Sequence, residues 1–340
     1  MKIWLGALLA TAAFVIAGCS GGAPSEIERR VEVDPSTTNA PVEGEFKVAL
    51  LTPAPVSDSG WSAIAMDGLQ AIEKELGAKV SNQVARDSAI RESMRSYAQD
   101  GYQLIIGHGF EYNEPAAALG ADFPKTVFVT SSGGRTEANV GAFRFYLEQG
   151  FYLAGVLAAG VSKTGTVAMI GGPDVPSIRS TFKAFKAGAE AGRPGIKVIE
   201  KFTGKNDDVA AAYQATLQAI QEGADVVIHQ ANAGAGGVFN ACKEKKVYAI
   251  GANFNQNDEN EWVIASAVIN AREPFVELAR EVKEGKYRGE VRLRGMQEKA
   301  VDFILNPKLA AQVPAELRKR LDTATLNILN GALVVPKDEF

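Results

Sequence analysis

The segment FKVALLTPAPVSDSGWSAIAMDGLQAIEKELGAKV, residues 46–80, contains the unit from which the rest of the chain is built. Its first part, residues 46–52, is a short apolar run that predicts a buried β-strand. Residues 61–77 carry apolar side chains at three- and four-residue spacing and end in glycine, which predicts an amphipathic helix. A second strand is predicted at residues 79–85. This order of strand, loop, helix and strand indicates a parallel sheet with a helix packed on one face.

The same alternation continues toward the C-terminus. Further strands are predicted at residues 102–107, 126–130, 165–170, 195–202, 224–228, 247–251 and 262–268, and helices at 87–99, 177–191, 208–222, 273–285 and 314–329. Strands separated by helices form parallel sheets covered on both faces, so the pattern predicts an α/β fold with two Rossmann-like lobes. The first lobe is expected to comprise residues 46–145 and about 254–285, and the second residues 146–253 and about 286–335. Several crossings between these lobes would form a hinge.

Composition narrows the classes of function. The chain has 340 residues, 46% hydrophobic and 22% charged, which is typical of globular proteins. Its net charge of −4 argues against a protein that wraps nucleic acid. With two cysteines and two histidines, a disulfide scaffold and a thiolate zinc site are excluded. The motifs GxGxxG, GxxxxGK[ST], HExxH and GxSxG are absent, so neither a cofactor nor a catalytic centre is predicted.

The N-terminus predicts export and anchoring. In residues 1–18, one positive charge precedes about fifteen apolar residues, a pattern typical of a secretory signal. The run ends in Ile16-Ala17-Gly18-Cys19, which resembles the bacterial lipobox, where cleavage leaves an N-terminal cysteine that carries acyl chains. Residues 19–45 are poor in apolar side chains and predict a lipidated flexible tether. The expected location is a bacterial membrane surface, with the body in the periplasm or outside the cell. The alternative is an ordinary signal peptide with an accidental cysteine.

The loop after the first strand is the first candidate binding site, because ligands of open parallel sheets bind at the carboxyl ends of the strands. It contains Asp58, Trp61 and Ser62, immediately before a helix. The carboxylate offers an acceptor, and the indole offers a surface on which a flat ligand can stack. The alternative is that Asp58 or Ser59 only caps the helix and Trp61 only fills the core.

Other strand ends carry similar groups. His108, Phe110 and Glu111 follow one strand of the first lobe, although His108 can equally be a structural histidine. In the second lobe, Asn232 and Asn253 follow two strands, within stretches of small and amide-bearing residues suited to hydrogen bonding. These amides and aromatics favour a small, flat, hydrogen-bonding ligand.

The histidines and Cys242 raise two other chemistries. A metal bridging His108, His229 and Glu111 across the cleft is conceivable, but the surrounding amides and aromatics argue against it, so no metal is predicted. Cys242 lies in a predicted helix with no evident base nearby. It is interpreted as a small buried hydrophobic residue rather than a catalytic thiol.

The chain resembles the basic membrane protein (BMP/PnrA-like) family of substrate-binding lipoproteins of ABC transporters. The resemblance rests on the lipobox and on segments at 58–61, 107–110, 148–155, 171–172, 182–188, 223–226 and 234–238. It implies a type I periplasmic-binding-protein fold and purine nucleoside binding, with Trp61 in place of the family's stacking phenylalanine and Ser62 in place of an asparagine. Phe185, or Phe182, is implied as a second stacking face.

The departures from the family concern the ligand. Asn253 stands where the family often has an aspartate, and a lysine often found in the strand at 266–270 is absent. These changes put a ribose-bearing ligand in doubt and leave a free base or another flat heterocycle. The predicted function is therefore capture of a purine base or nucleoside-like ligand for an ABC permease in the membrane. The alternatives are a ligand-sensing lipoprotein that docks a membrane receptor, or a cleft enzyme.

Overall fold

The structure, a computed structural model, describes residues 40–56 and 60–339. Its strands are β1 (Lys47–Thr52), β2 (Lys79–Val84), β3 (Leu104–Gly107), β4 (Val127–Ser131), β5 (Val140–Phe145), β6 (Thr166–Gly171), β7 (Lys197–Phe202), β8 (Val226–Gln230), β9 (Tyr248–Asn253), β10 (Val263–Ile269), β11 (Val291–Arg294) and β12 (Val301–Leu305). Its helices are α1 (Trp61–Leu76), α2 (Ala89–Gln99), α3 (Asn113–Gly120), α4 (Glu148–Val161), α5 (Pro176–Gly192), α6 (Val209–Gln221), α7 (Ala235–Lys245), α8 (Arg272–Lys283) and α9 (Ala315–Leu329).

The strands form two sheets with the same strand order. The first has the order β11-β5-β4-β3-β1-β2, and the second has the order β12-β10-β9-β8-β6-β7. All described pairings are parallel except that of β10 with β12. In the first sheet the chain runs from β1 to β2 on one side and then to β3 on the other side of β1, and β6, β7 and β8 repeat this order in the second sheet. Ligands of open α/β sheets bind at such a switch point. The predicted two-lobed α/β fold is therefore confirmed.

Burial explains why these segments form strands. Every residue of β4, β5 and β6 is buried, as expected for central parallel strands that have helices on both faces. The edge strands β2 and β7 are largely exposed or half-buried. Helices α2 and α3 share one core cluster with the first sheet, and α6 and α7 share another with the second. Helices α1, α4, α5 and α8 contribute to a third cluster that draws on both sheets.

The crossings between the lobes differ in place from the expected ones. Strand β10 pairs with β9 and so lies in the second sheet, and β11 pairs with β5 and so lies in the first. The chain therefore crosses between β5 and α4, between β10 and α8, and between β11 and β12, not near residues 254 and 286. Long-range pairing of short strands decides this assignment, and local sequence pattern does not encode it.

Candidate ligand-binding site

The carboxyl ends of the two sheets face each other. Strand β5 of the first sheet ends at Phe145, and three residues later Glu148 begins α4, which packs with α5 and β10 of the second lobe. Strand β10 of the second sheet ends at Ile269, and three residues later Arg272 begins α8, which packs on α1 of the first lobe. Both short crossings leave from carboxyl ends, so the loops after the strands of both sheets line one cleft.

In the first lobe, Trp61 and His108 hold each other. The indole Nε1–H donates to the backbone oxygen of His108 at 3.0 Å, and the two rings stack with centroids 3.9 Å apart. The imidazole Nε2 lies 2.9 Å from the backbone oxygen of Trp61, which can only accept, so Nε2 carries the proton. His108 Nδ1 then accepts from the Ser131 hydroxyl at 2.7 Å. One face of the half-buried indole is thus covered by His108. The Phe145 ring lies perpendicular to the indole, with the two ring centroids 6.2 Å apart.

The surroundings keep His108 neutral. The side chain is fully buried, and this burial lowers the pKa of His108 to about 3, outweighing the hydrogen bond to Trp61, which raises it. Its ring also meets the edge of Phe275 on α8. In this structure, His108 serves to fix Trp61.

In the second lobe, two asparagines adopt left-handed backbone conformations. Asn232 has φ of 44° and Asn253 has φ of 72°. Outside glycine, asparagine is among the residues that best tolerate this region, and such conformations cluster at functional sites. The Asn253 amide Nδ2–H donates to Asn232 Oδ1 at 2.9 Å. The hydrogen bond joins the ends of two neighbouring strands, β8 and β9.

His229 lies behind these amides. Gln256 Oε1 accepts from the backbone N–H of Ala252 and from His229 Nε2, both at 2.9 Å. Nε2 is therefore the protonated nitrogen, and Nδ1 accepts a longer hydrogen bond, 3.4 Å, from Ala231 N–H. Burial lowers the pKa of His229 to about 4, against the Gln256 hydrogen bond, which raises it. This network fixes the loop after β9 against the end of β8.

Three buried polar atoms at these strand ends have no hydrogen-bond partner among the described residues. They are Ser62 Oγ, in the first turn of α1, Gln230 Oε1, at the end of β8, and Asn253 Oδ1, at the end of β9. Ser62 is fully buried and Asn253 is 3% exposed. Unpaired buried polar atoms cost free energy, so each one in a native structure needs an explanation. Here they come from both sides of the cleft.

The other predicted site residues have different positions. Phe110 is 64% exposed at the rim, in a short 3-10 helix after β3. Glu111 is half-buried with its carboxylate over Gly109, and burial raises the pKa of this carboxyl. Phe185 is fully buried on α5 and is not among the exposed groups at the strand ends. Helices α4 and α5 pack closely at this point, because a Cβ added at Gly155 of α4 would clash with the backbone oxygen of Phe185.

Two predicted residues, Asp58 and Cys19, lie outside the described residues. A groove of about 410 Å³ between α4 and α9 contains none of the predicted site residues. Pattern reasoning missed Ser131 and Gln230 as part of this arrangement. Ser131 is the last residue of β4 and Gln230 the last residue of β8. A polar side chain at the carboxyl end of a parallel strand was the sequence signal that could have identified them.

The histidines are not placed to share a metal. Gly107 pairs with Leu51, the fifth residue of β1, whereas His229 pairs with Ile170, the fifth residue of β6. The counterpart of His108 is therefore Gln230, and His229 lies one residue earlier, on the opposite face of its sheet, against Phe239 of α7. Within residues 40–56 and 60–339, no three His, Cys, Asp or Glu side chains are grouped to hold a metal.

Cys242 is fully buried on α7, in the core cluster between the second sheet and its helices α6 and α7. Burial raises the pKa of the Cys242 thiol. A thiol held protonated in this way is a poor nucleophile, so it acts here as a small apolar side chain.

The crossing from β5 to α4 contains a buried ion pair. Arg144 bonds to Glu148, whose Oε1 accepts from Ser180 Oγ of α5 at 2.5 Å. Arg144 also donates to the backbone oxygen of Asp338, near the C-terminus, at 2.5 Å, and Lys183 pairs with the Asp338 carboxylate. The tail after α9 is thereby tied to the hinge and to α5.

Two α/β lobes built on parallel sheets of the same strand order define the periplasmic-binding-protein fold. A solute-binding protein of an ABC transporter system from Aeropyrum pernix shares this fold, with a TM-score of 0.74 over 86% of this chain and 94% of its own, at 19% identity. The chain belongs to the Bmp family of PnrA-like ABC transporter substrate-binding proteins, whose profile matches residues 46–339. The predicted family is thus confirmed, and so is the prediction of a binding protein rather than an enzyme, on the ground of that family.

Three further relatives are similar to this chain over most of its length. The nucleoside-binding protein BmpA of an ABC transporter from Lactococcus lactis is 28% identical over 331 residues, covering 89% of this chain and 92% of its own length. A purine-binding protein of Brucella abortus is 24% identical over 302 residues, covering 86% of each. The transcriptional activator protein med of Bacillus subtilis is 29% identical over 257 residues, covering 73% of this chain and 79% of its own length.

Proposed function

We propose that this solute-binding protein captures a flat heterocycle, a purine base or a nucleoside-like compound, in the cleft between its lobes. The observation that carries the proposal is the group of unpartnered polar atoms of Ser62, Gln230 and Asn253, contributed by strand ends of both lobes. A ligand that hydrogen-bonds to them removes the cost of leaving them unpaired. Because they belong to different lobes, one ligand that satisfies them also favours closure of the hinge.

Each predicted site residue has a role in this proposal. Trp61 stacks on the ring system with the part of its indole that His108 does not cover, and His108 positions it. Ser62 and Asp58 hydrogen-bond the ligand from the first lobe, and Asn232 and Asn253 do so from the second.

Two rim residues complete the first-lobe side. Phe110 covers the ligand on closure, and Glu111 offers a polar contact beside it. Phe185, buried under α4, supports the second lobe from within.

Two relatives support the ligand class, since one is named as nucleoside-binding and the other as purine-binding. A purine fits the aromatic and amide groups because its faces stack and its edges carry donors and acceptors. The substitution of an asparagine for the family's aspartate at 253 leaves the free base as the first candidate and the nucleoside as the second.

The proposal extends to the membrane. Acyl chains on Cys19 would hold the protein at the bacterial membrane, residues 20–45 would tether it, and an ABC permease would receive the ligand. No helix within residues 40–56 and 60–339 has the length and hydropathy needed to cross a bilayer. Expression of the Cys19→Ser variant should move the protein from the membrane fraction to the supernatant. A wild-type protein found only in the supernatant contradicts the anchor.

The ligand is tested by calorimetry with hypoxanthine, adenine, inosine, adenosine and uracil. Wild-type protein should bind at least one purine compound and should not bind uracil comparably. Stacking on an aromatic side chain contributes about 1–3 kcal/mol per base, so Trp61→Ala should weaken binding about 5- to 150-fold. Trp61→Phe retains a ring and loses the hydrogen bond to His108, so its loss should be smaller.

Trp262→Ala is the matched control, because Trp262 precedes β10 at the opposite end of the second sheet and contacts Tyr248. It should bind like wild type. Failure of every purine compound to bind or to raise the melting temperature contradicts the ligand class. An unchanged affinity in Trp61→Ala removes Trp61 from the site.

A second candidate function is ligand sensing, in which the same cleft reports a ligand to a membrane receptor. The relative named as a transcriptional activator favours it. Uptake of radiolabelled ligand by cells with and without the gene separates the two: loss of uptake supports transport, and unchanged uptake with altered transcription supports sensing.

A further inference from the structure

We propose that the second lobe recognises an uncharged planar heterocycle by a lactam or amidine edge, in which a hydrogen-bond donor lies beside an acceptor. The recognising groups are the side-chain amides of Asn232 and Asn253. The inference rests on the proposed function, because it concerns the ligand of the same cleft.

The hydrogen bond between the two amides determines what they offer. With Asn253 Nδ2 donating to Asn232 Oδ1, the pair presents the unpartnered Asn253 Oδ1 as acceptor and the Asn232 NH₂ as donor. If both amides are turned, Asn232 presents the acceptor and Asn253 the donor. In either orientation the pair offers one free donor and one free acceptor, the combination that a lactam or amidine edge requires.

The backbone makes this pair rigid. Both asparagines are held at positive φ by the ends of adjacent strands, and Asn253 is buried to all but 3%. A buried amide oxygen cannot accept a hydrogen bond from bulk water, so the unpaired Asn253 Oδ1 indicates a donor on the ligand. Gln230 Oε1 adds a second acceptor two residues before Asn232.

The two segments that carry the amides hold no charged side chain. Residues 229–237 and 252–257 contain no Asp, Glu, Lys or Arg, and His229 is kept neutral by burial. A carboxylate, phosphate or ammonium group bound here would lose its hydration without gaining an opposite charge, which is strongly unfavourable. The ligand edge is therefore neutral.

The test replaces the amide of Asn253 by a carboxylate. An aspartate tolerates positive φ as asparagine does, so Asn253→Asp should fold. Its carboxylate only accepts, so the Asn232 NH₂ turns toward it and the pair presents oxygens alone. Hypoxanthine should then bind roughly tenfold to a hundredfold more weakly at pH 8. The loss should shrink at lower pH, as the buried carboxyl becomes protonated and regains a donor.

Asn255→Asp is the matched control, with the same charge change two residues away at an exposed position. It should change hypoxanthine affinity less than twofold. For wild type, purine-6-carboxylate, which replaces the lactam edge by an anion, should bind at least tenfold more weakly than hypoxanthine.

The outcomes separate this inference from the function on which it rests. If wild type binds hypoxanthine or adenine but Asn253→Asp behaves like Asn255→Asp, the ligand class stands and recognition by the amide pair is wrong. Equal binding of purine-6-carboxylate and hypoxanthine also overturns it. If wild type binds no purine, the proposed function fails and this inference fails with it.

Discussion

In the first lobe, the aromatic groups are satisfied: the Trp61 indole and the His108 imidazole each donate to the other's backbone oxygen, and the Ser131 hydroxyl donates to His108. At this edge of the cleft, Ser62 Oγ is the buried polar atom that has no partner among the described residues. In the second lobe, Asn232 and Asn253 bond once to each other, and Asn253 keeps an unpaired oxygen. The two edges have the same strand order. The same scaffold therefore supports a closed aromatic platform on one side and an open set of amides on the other.

The difference bears on mechanism under the proposed function. A platform that is already satisfied needs no rearrangement to stack on a ring, so it can bind ligand while the cleft is open. The amides of the second lobe gain most when ligand and closure supply their missing partners. Binding to the first lobe and closure by the second is the sequence of events that this asymmetry favours.

The largest expected effect is on the pH dependence of the free energy of unfolding, through His108 in the first lobe and His229 in the second. Unfolded histidines titrate near pH 6.5, whereas burial lowers the pKa of His108 to about 3 and of His229 to about 4. Between the folded and unfolded pKa values of each histidine, the unfolded chain binds more protons than the folded one. The free energy of unfolding therefore falls as pH falls. From pH 7.5 to pH 5 each histidine should contribute a loss of about 2 kcal/mol. Denaturant unfolding across this range measures it.

The variants His108→Asn and His229→Asn show how much of this loss of stability comes from the histidine of each lobe. Each removes one titrating group, so each should reduce the dependence on pH by about half, whatever its effect on stability at pH 7.5. A variant with the same pH dependence as wild type would show that its histidine is not kept neutral in the folded protein.

Local sequence pattern predicted those elements whose burial is visible in short windows. The strands β1, β6 and β8 are apolar runs, and helices α1 and α5 have apolar side chains at helical spacing. Strands β5 and β11 were not predicted, because VGAFRF contains a buried arginine and VRLR alternates exposed with half-buried positions. Arg144 is acceptable inside the protein because Glu148, at the start of α4, neutralises it and Ser180, on α5 of the second lobe, accepts a hydrogen bond from it.

The candidate site was predictable as a set of loops and less so as a set of side chains. Parallel strands bring their carboxyl ends to one edge, so the sequence could place Asn232 and Asn253 where strands end and Trp61 where the helix after the first strand begins. The register of β8 decides which face His229 occupies, and a shift of one residue reverses that face. Pairing between strands sets this register, so composition alone gave no means of finding it.

The smallest expected effect compares one position in both lobes. Ser132 and Asn253 are each the sixth residue from the first paired residue of their strands, Val127 and Tyr248, and both have positive φ, 89° and 72°. A left-handed conformation costs a serine about 1 kcal/mol, and glycine adopts it freely but is more disordered when unfolded. Ser132→Gly should therefore raise the free energy of unfolding by no more than about 1 kcal/mol, with ligand affinity unchanged.

Asn253→Gly should change stability by less than about 0.5 kcal/mol, because asparagine is less strained at positive φ than serine. It should nevertheless weaken binding of hypoxanthine about tenfold or more, since the amide and its free oxygen are gone. Chemical denaturation and calorimetry on the two variants give both quantities. If Ser132→Gly lowered affinity as much as Asn253→Gly, the first lobe would not be a preformed platform, and the two edges would depend on the ligand alike.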